Sequence, residues 1–185
     1  MTLPSLGTLV SLPATEHPDL MASPVATALA GWEHAGEVAV VEIDPEVADT
    51  AAMSAAYELP MELGANCVVV GGARGGEDRV AACMVRADTR ADVNNVVRRI
   101  LDVRKASFLP MDRAVQESGM EYGGITPVGL PASWRVLVDP RVLDIEVAVI
   151  GSGVRRSKLL LAGRLLGALP GAEVVEGLAS VARDQ

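Results

Sequence analysis

Short Val-, Leu- and Ala-rich runs, each closed by Gly, Pro or a charged residue, recur along the whole chain and dictate what it can fold into. Those at 38–43, 67–70, 79–85, 106–108, 135–138, 146–150, 158–161 and 173–175 are strand-sized, and the β-branched residues of most of them suit a pleated, half-buried surface. Between them apolar residues fall at helical spacing over 20–32, 45–57, 92–103, 111–118 and 162–169. Asp44-Pro45 reads as a helix start, with Asp as N-cap and Pro at the first helical position. Gly71 to Gly76 reads as a hairpin connection, since no Lys-Ser/Thr follows it and the next run is strand-like. An α/β (α+β) fold, with a mixed central β-sheet flanked by helices, satisfies this order of elements. Residues 1–35 are expected to form an N-terminal extension with one helix packed on a main domain at 36–180.

Half of the 185 residues are hydrophobic, yet only five are aromatic: Trp32, Tyr57, Phe108, Tyr122 and Trp134. The core is therefore expected to be built from many small aliphatic side chains. No apolar run approaches the roughly 18 residues of a membrane-spanning helix. Residues 1–10 lack the positive flank and apolar run of a signal peptide. Cys67 and Cys83, the only cysteines, read as reduced core thiols. A cytoplasmic protein without membrane association is expected.

Charge is unevenly distributed. Residues 1–64 carry ten carboxylates and no Lys or Arg, and all sixteen basic residues lie after them. Two basic groups stand out: Arg98, Arg99, Arg104 and Lys105, then Arg155, Arg156, Lys158 and Arg164. The net charge of −8 disfavours long DNA as a partner but permits a local phosphate contact such as the end of a tRNA.

Several chemistries are poorly served by these residues. The two histidines, His17 and His34, sit in the acidic first third with no sequence link to a nucleophile. Gly151-Ser152-Gly153 lacks the spacing of a nucleophile elbow. Without Cys-x-x-Cys or His-x-x-x-His, no metal site is expected, and nothing calls for a cofactor. The Glu42, Asp44 and Glu46 carboxylates read as a solvated face plus a helix cap.

The most distinctive segment is Tyr122-Gly123-Gly124-Ile125-Thr126-Pro127-Val128-Gly129, preceded by Glu117-Ser118-Gly119. It resembles the Gly-Gly-Ile/Val-Ser/Thr-Pro segment of the YbaK-like aminoacyl-tRNA deacylases and of the editing insertion of prolyl-tRNA synthetases. Further matches follow in family order: Asp44-Pro45, the strand Asn66-Cys67-Val68-Val69-Val70, the helix start at 92–97, Lys105-Ala106, Val136-Leu137-Val138-Asp139, and Gly151-Ser152-Gly153 in place of Ser-Gly-Gly. Together they span roughly residues 38–178.

The resemblance implies a pocket that binds the aminoacyl 3′ end of a tRNA and hydrolyses its ester without a protein nucleophile, the substrate's own ribose hydroxyl or thiol assisting. Carried over by position, the substrate-binding residues are Asn66, Cys67, Gly123, Gly124, Thr126, Pro127, Gly151, Ser152 and Gly153. Paired glycines allow backbone N–H groups to approach a carbonyl, and Pro127 restricts Thr126 to an extended conformation. This chain is a divergent member. The family's Lys before the strand falls on Asn66, its Ser on Gly151, and its downstream Asp on Lys158 or, with a shifted loop, on Ser157. Asn66 and Lys158 are accordingly the catalytic candidates. The expected function is trans-editing of a tRNA mischarged with a small or medium amino acid. The alternative is a catalytically inactive binding protein on the same fold, recognising an aminoacyl end, an amino acid or a protein partner.

Overall fold

The computed structural model describes residues 2–181. Its strands are β1 (Leu12–Pro13), β2 (Ala39–Glu42), β3 (Ala65–Arg74), β4 (Glu77–Arg86), β5 (Thr89–Ala91), β6 (Ser107–Phe108), β7 (Arg135–Val138), β8 (Ala148–Gly151), β9 (Ser157–Leu161), β10 (Ala172–Val174) and β11 (Ala179–Val181). Its α-helices are α1 (Ser23–Ala30), α2 (Thr50–Ala56), α3 (Arg98–Ile100), α4 (Met111–Ser118) and α5 (Pro140–Leu143). The α+β class expected from the sequence is what forms. The strands are divided between a mixed five-stranded sheet in the order β10-β7-β4-β3-β6, an antiparallel four-stranded sheet in the order β1-β2-β9-β8, and a β5-β11 pair.

Alternation along each strand explains why both sheets are covered on two faces. Val38, Val40, Met84, Val136, Val138, Ala148, Ile150, Leu159 and Leu161 share one core that lies between the sheets. Their neighbours Cys83, Val85 and Leu137 turn to the opposite side, against Val97, Leu101 and Leu178. Ala39, Val41, Val149 and Leu160 turn toward Leu9, Ala48 and Met53. From the N-terminal region, Val25 and Leu29 of α1 enter the central core with Leu20 and Met21. Trp134 is the one aromatic residue buried below a tenth exposure among the described residues, as the aliphatic composition leads one to expect.

Three elements differ from expectation, each for a local reason. The helix expected over 45–57 is broken. The Asp44 carboxylate accepts from the Glu46 N–H at 2.9 Å, but the turn it caps is a 3-10 turn, Pro45–Val47, and α2 starts afresh after Asp49. The helix expected over 92–103 begins as a wide π-turn, Val93–Val97, capped by Asp92, and ends by Leu101. There Asp102 adopts a positive φ, with Arg74 and Arg79 of the β3–β4 hairpin drawn to its carboxylate. The third, over 162–169, is a 3-10 helix at Gly163–Ala168.

The hairpin is longer than expected. Strands β3 and β4 run through Arg74 and Glu77, leaving only Gly75-Gly76, both at positive φ, as the primed two-residue turn that suits twisted strands. Gly71 and Gly72 belong to β3. A Cβ on Gly72 would stand 2.5 Å from the Lys105 carbonyl oxygen, so the missing side chain lets the 103–105 segment cross the strand. Strands β5 and β11, three residues each, left no readable pattern.

Candidate functional site

Strands β3 and β8 belong to different sheets, joined where Gly64, the residue before β3, makes a parallel bridge with Val149 of β8. Beyond it a cleft of about 640 Å³ opens between the sheets. One wall is Ala65 to Val69 of β3; another is Val149, Ile150 and Gly151 of β8 with Lys158 of β9. The start of α2 contributes Asp49, Thr50 and Met53, and Phe108, Leu109, Met111, Tyr122, Gly123 and Ile125 close the remaining side.

Five of the sequence-derived site residues meet in this cleft: Asn66, Cys67, Gly123, Gly151 and Lys158. Gly124, Thr126, Pro127, Ser152 and Gly153 are not part of its lining; Gly124 and Gly153 pack behind it. The Gly153 N–H donates to the Gly124 carbonyl at 2.8 Å, and the Gly124 N–H to Glu121 at 2.9 Å. A Cβ on Gly151 would fall 2.3 Å from the Gly124 oxygen, and one on Gly124 would strike the Val154 backbone at 2.8 Å. The paired glycines thus let two chain segments touch, rather than baring N–H groups side by side to a ligand. Ser152 is fully buried, its Oγ 2.7 Å from that of Ser157 and 2.9 Å from the Ser157 carbonyl. Thr126 is buried too, and its Oγ1 has no hydrogen-bond partner among the described residues.

The polar groups inside the cleft are few. Thr50 Oγ1 donates to Asn66 Oδ1 at 2.6 Å, tying α2 to β3 and fixing the amide. Lys158 is only 6 % exposed. Burial pushes its ammonium down to about 8, Asp49 pulls it back up, and Arg155 lowers it further. Arg155 spans the rim: it donates to the Pro45 carbonyl at 3.0 Å, lies 3.9 Å from the Asp49 carboxylate, and would meet a Cβ on Gly123 at 2.5 Å. Desolvation raises the thiol of Cys67, half-buried on the cleft wall, far above its ordinary range, and burial raises Cys83 to about 12, so neither is activated as a thiolate.

Sequence reasoning missed Asp49, Thr50 and Phe108 as site residues, and also Tyr122, although Tyr122 opens the glycine segment it had singled out. Lys158, expected as a catalytic candidate, is in the cleft, apart from the rest of the basic group Arg155, Arg156 and Arg164. That group is dispersed: Arg155 faces Asp49, Arg164 pairs with Glu37 at 2.8 Å, and Arg156 donates to the Asp19 carbonyl. Acidic N-terminal residues thus meet basic ones from the far end of the chain. Groups of three or more His, Cys, Asp or Glu suited to a metal do not occur among the described residues. Nor is any helix among them long and apolar enough to cross a membrane.

The fold is an α+β domain whose apolar cleft, at the junction of two sheets, holds one buried Lys and one oriented amide. The aminoacyl-tRNA editing domain family model matches residues 44–168, and the chain belongs to that family. Editing of aminoacyl-tRNA is the role this membership supports, and aminoacyl-tRNA the ligand it implies. Solved structures share the fold. A putative trans-editing enzyme for prolyl-tRNA synthetase superposes with a TM-score of 0.70 at 21 % identity, over 84 % of this chain and 94 % of that one. A hypothetical protein superposes with a TM-score of 0.67 at 19 % identity, over 76 % and 90 %. No curated protein matches the sequence.

Proposed function

We propose that this protein is a trans-editing aminoacyl-tRNA deacylase that hydrolyses the ester of a tRNA mischarged with a small or medium amino acid. The observation that carries the reading is Lys158, a buried cation in the same cleft as Asn66 within a family whose usual Lys is replaced by that Asn. In the reaction, water adds to the carbonyl carbon of the ester linking the amino acid to the terminal ribose. The carbonyl oxygen takes up negative charge, and collapse breaks the bond to the ribose oxygen, which leaves with a proton. Free amino acid and uncharged tRNA result. A positive charge held in a water-poor cleft stabilises that oxyanion far better than it would in water. Lys158 supplies it from β9, and the Asn66 amide, held by Thr50, orients the aminoacyl group from β3.

The apolar lining of the cleft includes Met53, Met61, Val68, Val69, Leu109 and Ile125, which would surround the amino-acid side chain. Such walls discriminate by size, worth only about 1–3 kcal/mol per methylene, and flexible methionines soften the limit. More than one amino acid is therefore accepted.

The test is deacylation of a panel of matched and mismatched aminoacyl-tRNAs by the wild type, Asn66→Ala and Lys158→Ala. Hydrolysis confined to one or a few mischarged species, and reduced at least tenfold in each variant, supports the reading. Full activity in Lys158→Ala sinks the role given to that side chain. No hydrolysis of any species at high protein concentration leaves a binding protein on an editing fold.

A further inference from the structure

The chain has five aromatic residues, and the two most exposed, Phe108 at 67 % and Tyr122 at 60 %, both stand on the wall of the cleft. Met111, 57 % exposed, stands there as well. Only three other large apolar side chains among the described residues are comparably exposed: Val10, Val174 and Val181. Leaving rings in water is unfavourable, and here the exposure is concentrated at the mouth of one cavity. Neither ring packs on another aromatic, and the Tyr122 hydroxyl has no hydrogen-bond partner among the described residues. Beside Tyr122, the Arg155 guanidinium lies over Gly123 and places a cation on the same rim.

We propose that Phe108 and Tyr122 form a stacking platform for the base of the tRNA's 3′-terminal adenosine. The inference rests on the aminoacyl-tRNA reading above and adds a recognition site to it. An aminoacyl ester seated near Lys158 leaves its ribose at the cleft mouth, and the next group outward is the base. A flat π-face meeting exposed rings gains stacking energy whatever the sequence further along, while Arg155 complements the adjoining phosphate. One set of rim contacts thus serves different tRNAs, and the cleft interior alone reads the amino acid.

The experiment combines binding and kinetics. Uncharged tRNA and the same tRNA lacking its terminal adenosine are titrated against the wild type and against Phe108→Ala/Tyr122→Ala. Both positions are exposed, so the variant is expected to fold, and a thermal melt checks this. Wild type is expected to bind intact tRNA roughly 5- to 100-fold more tightly than the truncated form, and the double variant to lose that difference. For a species that the wild type deacylates, the variant is expected to raise KM with kcat within about twofold, because both rings act in ground and transition states alike. Equal wild-type affinity for the two tRNAs, or an unchanged KM in the double variant, overturns the platform while leaving the deacylase reading intact. Preference for the terminal adenosine without hydrolysis of any charged species keeps the platform and removes the deacylase. No tRNA binding at all overturns both.

Discussion

Lys158 lies on a strand whose other residues, Ser157, Leu159, Leu160 and Leu161, are all buried, and its ammonium has Asp49 as its nearest compensating charge. The sign of its linkage follows. Unfolded, the amine titrates near 10.5; folded, near 8. Below pH 8 it is charged in both states and burial is paid for in full. Between about 8 and 10.5 the unfolded state binds the extra proton, so this residue's contribution to stability rises with pH. Cys67 and Cys83 act oppositely: their thiols stay protonated in the fold while the unfolded ones ionise around pH 9. Lys158→Met separates the two. It is expected to be more stable than the wild type at pH 7 by about 1–3 kcal/mol, an advantage that shrinks by pH 10, with denaturant midpoints at both pH values as the check. Activity should move the other way. If the ammonium stabilises the oxyanion, the rate corrected for spontaneous hydrolysis falls as pH rises through about 8, and Lys158→Arg removes the fall. A profile for Lys158→Arg identical to the wild type's would exclude Lys158 as the titrating group.

At the scale of elements, two contacts hold the cleft walls and the sheet ends in register. The first is Gly151 against Gly124. Gly151→Ala would set a methyl 2.3 Å from a backbone oxygen with no flexible side chain to yield, forcing β8 away from the 123–126 segment. It is expected to destabilise the protein by about 1–3 kcal/mol and to impair deacylation beyond what that loss of stability explains, read from melts and single-turnover rates. The second is Asp139, fully buried at the end of β7. Its carboxylate accepts from the Arg141 N–H at 3.0 Å, capping α5, and from the Ala179 N–H at 2.9 Å, anchoring β11. Asp139→Ala leaves both donors unmatched and should cost about 2–4 kcal/mol without altering cleft specificity, measured by denaturation and by the substrate panel. The Asp closing the Val136–Val138 segment was visible in the sequence as part of the family pattern; that it is a structural clamp was not, because its partner lies 40 residues on.

Across the whole molecule, the N-terminal residues belong to the core. Val25 and Leu29 are at most 1 % exposed, and Ala22 packs where a Cβ on Gly153 would stand, so α1 presses directly on the loop behind the cleft. Leu29→Ala is expected to lose about 2–5 kcal/mol, and deletion of residues 1–31 to yield no cooperatively melting protein, as followed by circular dichroism. The uneven charge of the sequence is resolved at this scale too. Glu37 meets Arg164, Asp49 faces Arg155, and the Asp19 carbonyl receives Arg156, which brings the carboxylate-rich first third against the second of the two basic groups.

The sequence by itself determined strands β2 to β4 and β6 to β10, the helices α1 and α4, the family and five residues of the cleft. Each was legible because apolar alternation, capping residues and a glycine-proline segment are properties of neighbours along the chain. Tertiary structure alone decided that the strands divide into two sheets meeting at Gly64 and Val149, and that the cleft opens at that junction. It also decided that Lys158 is buried inside while Thr126, Ser152 and Gly153 stand behind the wall, and that Phe108 and Tyr122 share a rim. These are relations between segments far apart in sequence. Strand pairing and the closure of long loops set them, and neither leaves a local pattern to read.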